Sequence, residues 1–175
     1  MTTDMRDQNL RIRKSTARDI DRMLEIYGKA KQFMAENGNT RQWSGPYPST
    51  ELLRNDISAG VSYVIESDGR IVGTFAFIIG EDPTYNRIDG QWTNDKPYGT
   101  IHRIASDGSA KGIADCCLAF CAGLTDNIRI DTHEDNRIML DWIKRSGFRY
   151  CGVIHIADGT PRYAFQLTTH NRTDK

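Results

Sequence analysis

The chain has 175 residues, and 23 Lys plus Arg balance 23 Asp plus Glu, so its formal net charge is zero. That length fits one domain, residues 1–175, able to bury a core without disulfide staples. The even balance lacks the basic excess of a nucleic-acid surface, and no apolar run approaches a membrane span, so neither partner is expected.

Met1 to Gln8 is polar with no apolar stretch of a signal peptide. Leu10 to Arg13 alternates apolar and charged residues, the pattern of a strand. Thr16 with Asp19 marks a helix start, and Ile20, Met23, Leu24, Tyr27 and Ala30 mark one face of a helix ending near Gly38. An aromatic, proline-containing loop follows, Trp43 to Pro48, and Ser49 can cap a short helix holding Leu52, Leu53 and Ile57. Val61 to Ile65 and Ile71 to Ile79 are strands joined by the hairpin signal Ser67 to Arg70. Glu81 to Lys96 is polar with scattered aromatics and reads as a long loop or a second hairpin.

Thr100 to Ala105 is the next strand, and the small-residue turn Ser106 to Gly112 runs from it into a helix whose face is Ile113, Cys116, Cys117, Phe120 and Leu124. Small residues let backbone approach a ligand, and the first turn of a helix offers unpaired N–H groups and a positive dipole end. Strand, small-residue turn and helix start therefore form an anion site suited to a phosphate or diphosphate. Ile128 to Asp131 is a short strand, and Asn136 to Ser146 is a helix closed by Gly147. Tyr150 to Ile156 and Pro161 to Leu167 are the last strands, around Asp158-Gly159, and the tail from Thr168 is polar and frayed. The four cysteines, Cys116, Cys117, Cys121 and Cys151, form no Cys-x-x-Cys pair, so no metal site is expected. They read as buried reduced thiols of a cytoplasmic protein.

The element order β-α-α-β-β-β-α-β-α-β-β and the turn motif resemble the GNAT acyltransferase superfamily over about residues 10–167. That resemblance implies an α/β (α+β) fold, with a mixed, mostly antiparallel central sheet of six to seven strands flanked by about four helices. The family's Gln/Arg-x-x-Gly-x-Gly/Ala motif is matched by Ser109 to Ala114, with Gly112 and Ala114 in place and Ser109 substituting for Gln or Arg. The later Asn…Gly-Phe block appears as Asn136 and Gly147-Phe148. Asp131-Thr132-His133-Glu134-Asp135-Asn136, together with Gln42-Trp43 and Tyr47-Pro48, resembles one bacterial branch.

The resemblance implies transfer of an acetyl (acyl) group from acetyl-CoA, as cosubstrate and without metal, to a primary amine, by direct attack in a ternary complex. It implies that Ser109, Ala110, Lys111, Gly112, Ile113 and Ala114 meet the diphosphate, that Arg103, Ile104 and Ala105 lie along the pantetheine arm, and that Asn136 contacts the coenzyme. The Tyr that family members often use as acid falls at Ile143, and the strand before the motif lacks the usual Glu. His133 and His102 are the substitutes, since an imidazole can take or give a proton near neutral pH. Each reads equally as a structural, hydrogen-bonded histidine. Trp43, Tyr47 and Tyr85 are candidates to line the acceptor site, and Glu81, Asp82 and Asp95 either attract a cationic amine or are simply solvated.

A small-molecule amine is the expected acceptor, because no charge balance is tuned to a macromolecule. Such folds often form a homodimer, which this sequence neither supports nor opposes. A nucleotide P-loop is excluded because Lys111-Gly112 has the wrong order, and His133-Glu134 is not a zinc motif because position 137 is Arg. The alternative is a non-catalytic acyl-CoA-binding or sensor module of the same fold, a direction in which Ile143 points.

Overall fold

Strand β1 (Leu10–Lys14) begins a chain in which local caps set each boundary. The structure, a computed structural model, describes residues 9–169. The expectations for Met1 to Gln8 and for the tail beyond Thr169 lie outside the described residues, while Thr168 itself closes the last strand. After β1 the Asp19 carboxylate accepts the Thr16 N–H at 2.7 Å, satisfying one orphan donor of a 3-10 turn (Ala17–Asp19) that feeds α1 (Ile20–Glu36). Ser49 caps α2 (Thr50–Ser58) by accepting the Leu52 N–H at 3.1 Å, as its position in the sequence predicts.

β2 (Ser62–Ser67) and β3 (Arg70–Ile79) form the expected hairpin. The two-residue β4 (Asp89–Gly90) lies inside the polar stretch that was expected to be loop or hairpin, and it pairs with a late strand instead of with its neighbours. β5 (Gly99–Ser106), α3 (Ile113–Ala122), β6 (Asn127–Thr132), α4 (Arg137–Arg145), β7 (Arg149–His155) and β8 (Pro161–Thr168) complete the order. Leu124, read as the last residue of the α3 face, lies beyond the helix and is exposed, because the helix stops at Gly123.

The described strands form one eight-stranded sheet in the order β1-β2-β3-β5-β6-β8-β7-β4, in which only β5 and β6 pair in parallel. This is the mixed, mostly antiparallel sheet with four α-helices that the element order implies, with β4 as the strand the sequence did not show. Period-two alternation divides the core between two faces. Val64 packs under α1 and α2 with Met23, Ile26, Tyr27 and Leu53, while its neighbour Ile65 packs on the opposite face with Phe75, Ile113, Cys117 and Ile143. Each such side chain, when fully buried, contributes about 1.5–3 kcal/mol of transfer free energy before ordering entropy is subtracted.

One irregularity interrupts the sheet. β5 and β6 pair only at Gly99 with Ile128 and Thr100 with Arg129. β5 runs on to Ser106 and β6 to Thr132 without pairing to each other. The two strands part in the middle of the sheet. Among the described residues no helix is long and apolar enough to cross a membrane.

Candidate active site

Where β5 and β6 part, a cleft of about 820 Å³ opens. Its walls are the β5 edge from Ile101 to Ser106, the end of β6 from Ile130 to Thr132, the start of α4, and the α1 C-terminus with the loop after it. The backbone groups of β5 that face β6 in a continuous sheet have no strand partner beyond Thr100. Such an edge accepts an extended, hydrogen-bonding ligand as it would accept a strand.

β5 carries a bulge at this point. Ala76 pairs with His102 and Thr74 with Ala105, so Arg103 and Ile104 stand together against Phe75. Arg103 takes φ +52°, a left-handed conformation that costs a non-glycine residue about 1 kcal/mol or more. The surroundings hold it there. The Tyr27 hydroxyl of α1 donates to the Arg103 carbonyl at 3.0 Å, and the Arg103 guanidinium pairs with Asp56 of α2 and reaches the Tyr47 hydroxyl at 3.4 Å.

His102, just before the bulge, lines the cleft. Its Nε2 lies 2.9 Å from Asp82 Oδ2. Asp82 is fixed in turn: its other oxygen accepts the Thr84 N–H at 3.0 Å, and its own N–H donates to the Tyr98 hydroxyl at 2.8 Å. The hydrogen bond with His102 holds the Asp82 carboxyl below its ordinary value, against the opposing effect of burial. A carboxylate acceptor at Nε2 leaves Nδ1 with the free lone pair. Asp82, expected to attract a cationic amine or to be solvated, orients this ring instead.

Beside this pair the Tyr85 hydroxyl donates to Asp131 Oδ1 at 2.5 Å. Burial pushes the Tyr85 phenol well above its ordinary value, and the neighbouring carboxylate of Asp131 adds to that. Loss of water raises the Asp131 carboxyl too, partly offset by the tyrosine's hydrogen bond. The Trp92 indole N–H donates to the Tyr85 carbonyl at 3.0 Å. Trp92 and Tyr98 sandwich the Arg129 guanidinium, with ring centroids 3.9 and 3.8 Å away.

On the opposite wall, Gln42 gathers three segments. Its Oε1 accepts from Asn39 Nδ2 at 3.0 Å, Thr132 Oγ1 at 3.3 Å and Asn136 Nδ2 at 2.9 Å. Its carbonyl accepts from Arg162 of β8 at 3.1 Å. Asn136 also caps α4 by accepting the Met139 N–H at 3.2 Å.

The cleft thus brings together Trp43, Tyr47, Tyr85, His102, Arg103, Ile104, Ala105 and Asn136. Tyr85 is almost wholly buried, and its hydroxyl is already engaged by Asp131. His133 is not among the lining residues; it is buried, and its Nδ1 accepts the Asp135 N–H at 3.0 Å, so its ring supports its own loop. Ser109, Ala110, Lys111, Gly112, Ile113 and Ala114 also lie outside the lining, which takes in Ser106, Asp107 and Gly108 and stops midway along that turn. The turn is tied down by Asp107, which accepts from the Ser109 N–H at 2.9 Å, the Ser109 hydroxyl at 2.6 Å and Arg22 of α1 at 2.6 Å. Gly112 opens α3 with φ +75°, and no side chain caps the helix. Ile143 is fully buried in the core and cannot reach solvent.

Gln42, Arg162 and Asp131 are among the cleft residues to which the sequence assigned no role of their own. Gln42 and Asp131 appeared only within branch-like segments, and no local signal marks Arg162. Among the described residues no group of three or more His, Cys, Asp or Glu is placed to hold a metal ion.

In comparisons with protein-family models and with curated proteins, the sequence matches none. Solved structures do match. A GNAT-family acetyltransferase from Streptococcus agalactiae superposes with a TM-score of 0.84 at 29% identity, covering 94% of this chain and 98% of that one. A GNAT-family acetyltransferase from Listeria monocytogenes gives 0.66 at 20% identity over 91% and 94% of the two chains. An N-acetyltransferase from Staphylococcus aureus gives 0.61 at 18% over 91% and 98%. The last two show the fold alone. The structural neighbours of this chain are GNAT-family acetyltransferases, and the chain has their architecture.

Proposed function

We propose that the chain is a single-domain N-acetyltransferase that moves an acetyl group from acetyl-CoA to a primary amine of a small molecule, by direct attack with both substrates bound. The observation that carries the reading is the parting of β5 and β6 beside an uncapped helix start, with His102 on the parted edge. The likeness to the streptococcal acetyltransferase over nearly the full length of both chains supports it.

The residues present fit the coenzyme. The α3 N-terminus has no side-chain cap, so its amides are open to a diphosphate, and the free β5 edge suits an extended arm. Backbone N–H groups of Ala110 to Ala114 would hold the diphosphate, with Arg103, Ile104 and Ala105 offered to the arm and Asn136 as a further contact. When bound, the coenzyme supplies an acyl group activated as a thioester.

The chain itself binds, orients and moves one proton. Asp82 fixes the His102 ring through Nε2, and Nδ1 then takes the proton that an ammonium sheds before its nitrogen attacks; as the N–C bond forms and the C–S bond breaks, the nitrogen's second proton goes to the departing thiolate, which leaves as free thiol. Trp43, Tyr47 and Tyr85 wall the acceptor. Holding both reactants in one orientation supplies much of the acceleration.

Calorimetric titration with acetyl-CoA, followed by a thiol-release assay with a panel of primary amines, tests the reading. Binding at a single site and release with at least one amine are expected. Absence of binding overturns it. Binding without release for any amine moves the protein to the acyl-CoA-binding module, the reading that the buried Ile143 favours.

A further inference from the structure

The charges around the cleft are not equally satisfied. Asp82 is paired with His102, Asp107 with Arg22, and Arg103 with Asp56. Lys29 and Arg137 are exposed to water. Arg162 is different. It is only 4% exposed, it lines the cleft, and among the described residues no carboxylate lies within ion-pair distance of it. Its Nη1 donates to Thr160 Oγ1 at 3.2 Å and to the Pro161 carbonyl at 2.9 Å, and its Nη2 to the Gln42 carbonyl at 3.1 Å. A guanidinium has five N–H donors, so two remain without a protein acceptor. Burial pulls the Arg162 guanidinium down from its usual value, the signature of a cation lacking full compensation.

One further group stands near it. Asp131 pairs with Ala164 across β6 and β8, which makes Arg162 its diagonal neighbour on the same face of the sheet. The cleft therefore presents a guanidinium with open donors alongside a carboxylate.

We infer that the acceptor is an amine that also carries a carboxylate, of the α-amino-acid class, its carboxylate bound by Arg162 and its nitrogen directed toward His102 and Asp131. This inference rests on the acetyl-transfer reading and narrows its acceptor. Arg162 is the specificity-determining group: a planar, bidentate donor for a carboxylate, attracted by Asp131 and Asp158 but with no described carboxylate within ion-pair distance. A simple cationic amine leaves those donors unpaired and adds charge beside an existing cation.

The test uses the unmodified protein with acetyl-CoA and matched acceptors: the twenty standard α-amino acids and the amines left when their carboxylates are removed, such as arginine against agmatine and phenylalanine against phenethylamine. The preferred amino acid is expected to exceed its decarboxylated partner by about tenfold or more in kcat/KM. Arg162→Gln raises the acceptor KM by about tenfold and leaves the acetyl-CoA KM within about twofold, and Arg162→Lys retains part of the preference. Equal or better turnover of the decarboxylated amines overturns the inference, as does turnover of neither set while acetyl-CoA binds. Failure of acetyl-CoA to bind is a different result and removes the acetyl-transfer reading itself. Should the Arg162 variants fail to fold, the matched pairs on the unmodified protein still decide the matter.

Discussion

The imidazole Nε2 of His102 lies 2.9 Å from Asp82 Oδ2, across a separation of 20 residues in the chain. This contact turns a strand residue and a loop residue into one unit, with the proton site of the ring already chosen. His102→Ala is expected to lower kcat by about 10²–10⁴-fold and to leave the acetyl-CoA KM within about twofold. Asp82→Asn should fall between that variant and the parent, since the ring remains but loses its charged anchor. Steady-state thiol release measures both, and an undiminished kcat in His102→Ala removes the assignment.

Gly112 belongs to the turn that the proposed reading assigns to the diphosphate. Its φ of +75° is a region that a residue with a Cβ enters only under strain. Gly112→Ala therefore tests backbone shape, its Cβ meeting no atom within 4 Å. It should cost about 1–2 kcal/mol in stability and raise the acetyl-CoA KM more than the acceptor KM. Urea unfolding and initial-rate kinetics give the two numbers.

Gln42 accepts three side-chain donors on one oxygen. Gln42→Ala leaves the donors of buried Thr132 and half-buried Asn136 without that partner and should cost about 1–3 kcal/mol. The acceptor KM should rise as well, because the loop carrying Trp43 and Tyr47 loses its tie to β6 and α4. Chemical denaturation shows the first effect, and acceptor titration the second. A stability unchanged from the parent contradicts the role.

Acid sensitivity should trace in part to Asp19. Arg13 donates to its two oxygens at 2.8 and 3.0 Å, and this, ahead of the Thr16 N–H, holds the Asp19 carboxyl below its ordinary value. A depressed carboxylate contributes stability that is present above the unfolded value and lost as pH falls through the folded one. The loss therefore starts near pH 4 and deepens below it. Arg13 is partly exposed, so the contribution is about 1 kcal/mol. Asp19→Asn should be less stable at pH 7 and should show a shallower decline below pH 4, read from unfolding midpoints across pH 3–7.

The sequence revealed elements wherever a signal is local. The Thr16–Asp19 start, the Ser49 cap, the Ser67–Arg70 hairpin and the Gly112 turn each depend on residues a few positions apart, and each lies where its chemistry requires. The aromatic acceptor candidates also share the cleft, since the fold order brings their segments to one side of the sheet. What stayed hidden depends on pairing at long range. Asp82 finds His102, Tyr85 finds Asp131 over 46 residues, and Gln42 finds Asn136 over 94. His133 has the same ring as His102, yet its own loop absorbs one ring nitrogen, and nothing in the residue types distinguishes the two. The bulge at Arg103 was equally silent, because its left-handed backbone carries no glycine to announce it.

The Arg129 guanidinium, clasped between the faces of Trp92 and Tyr98, has a mechanical consequence. It rivets to the sheet the segment that delivers Asp82 and Tyr85, and ring-to-cation contact inside the protein is little weakened by salt. That wall is an anvil. The facing side is held differently: Tyr47 is partly open to water there, and the Gln42 hub ties its loop to β6 and α4 through side-chain hydrogen bonds.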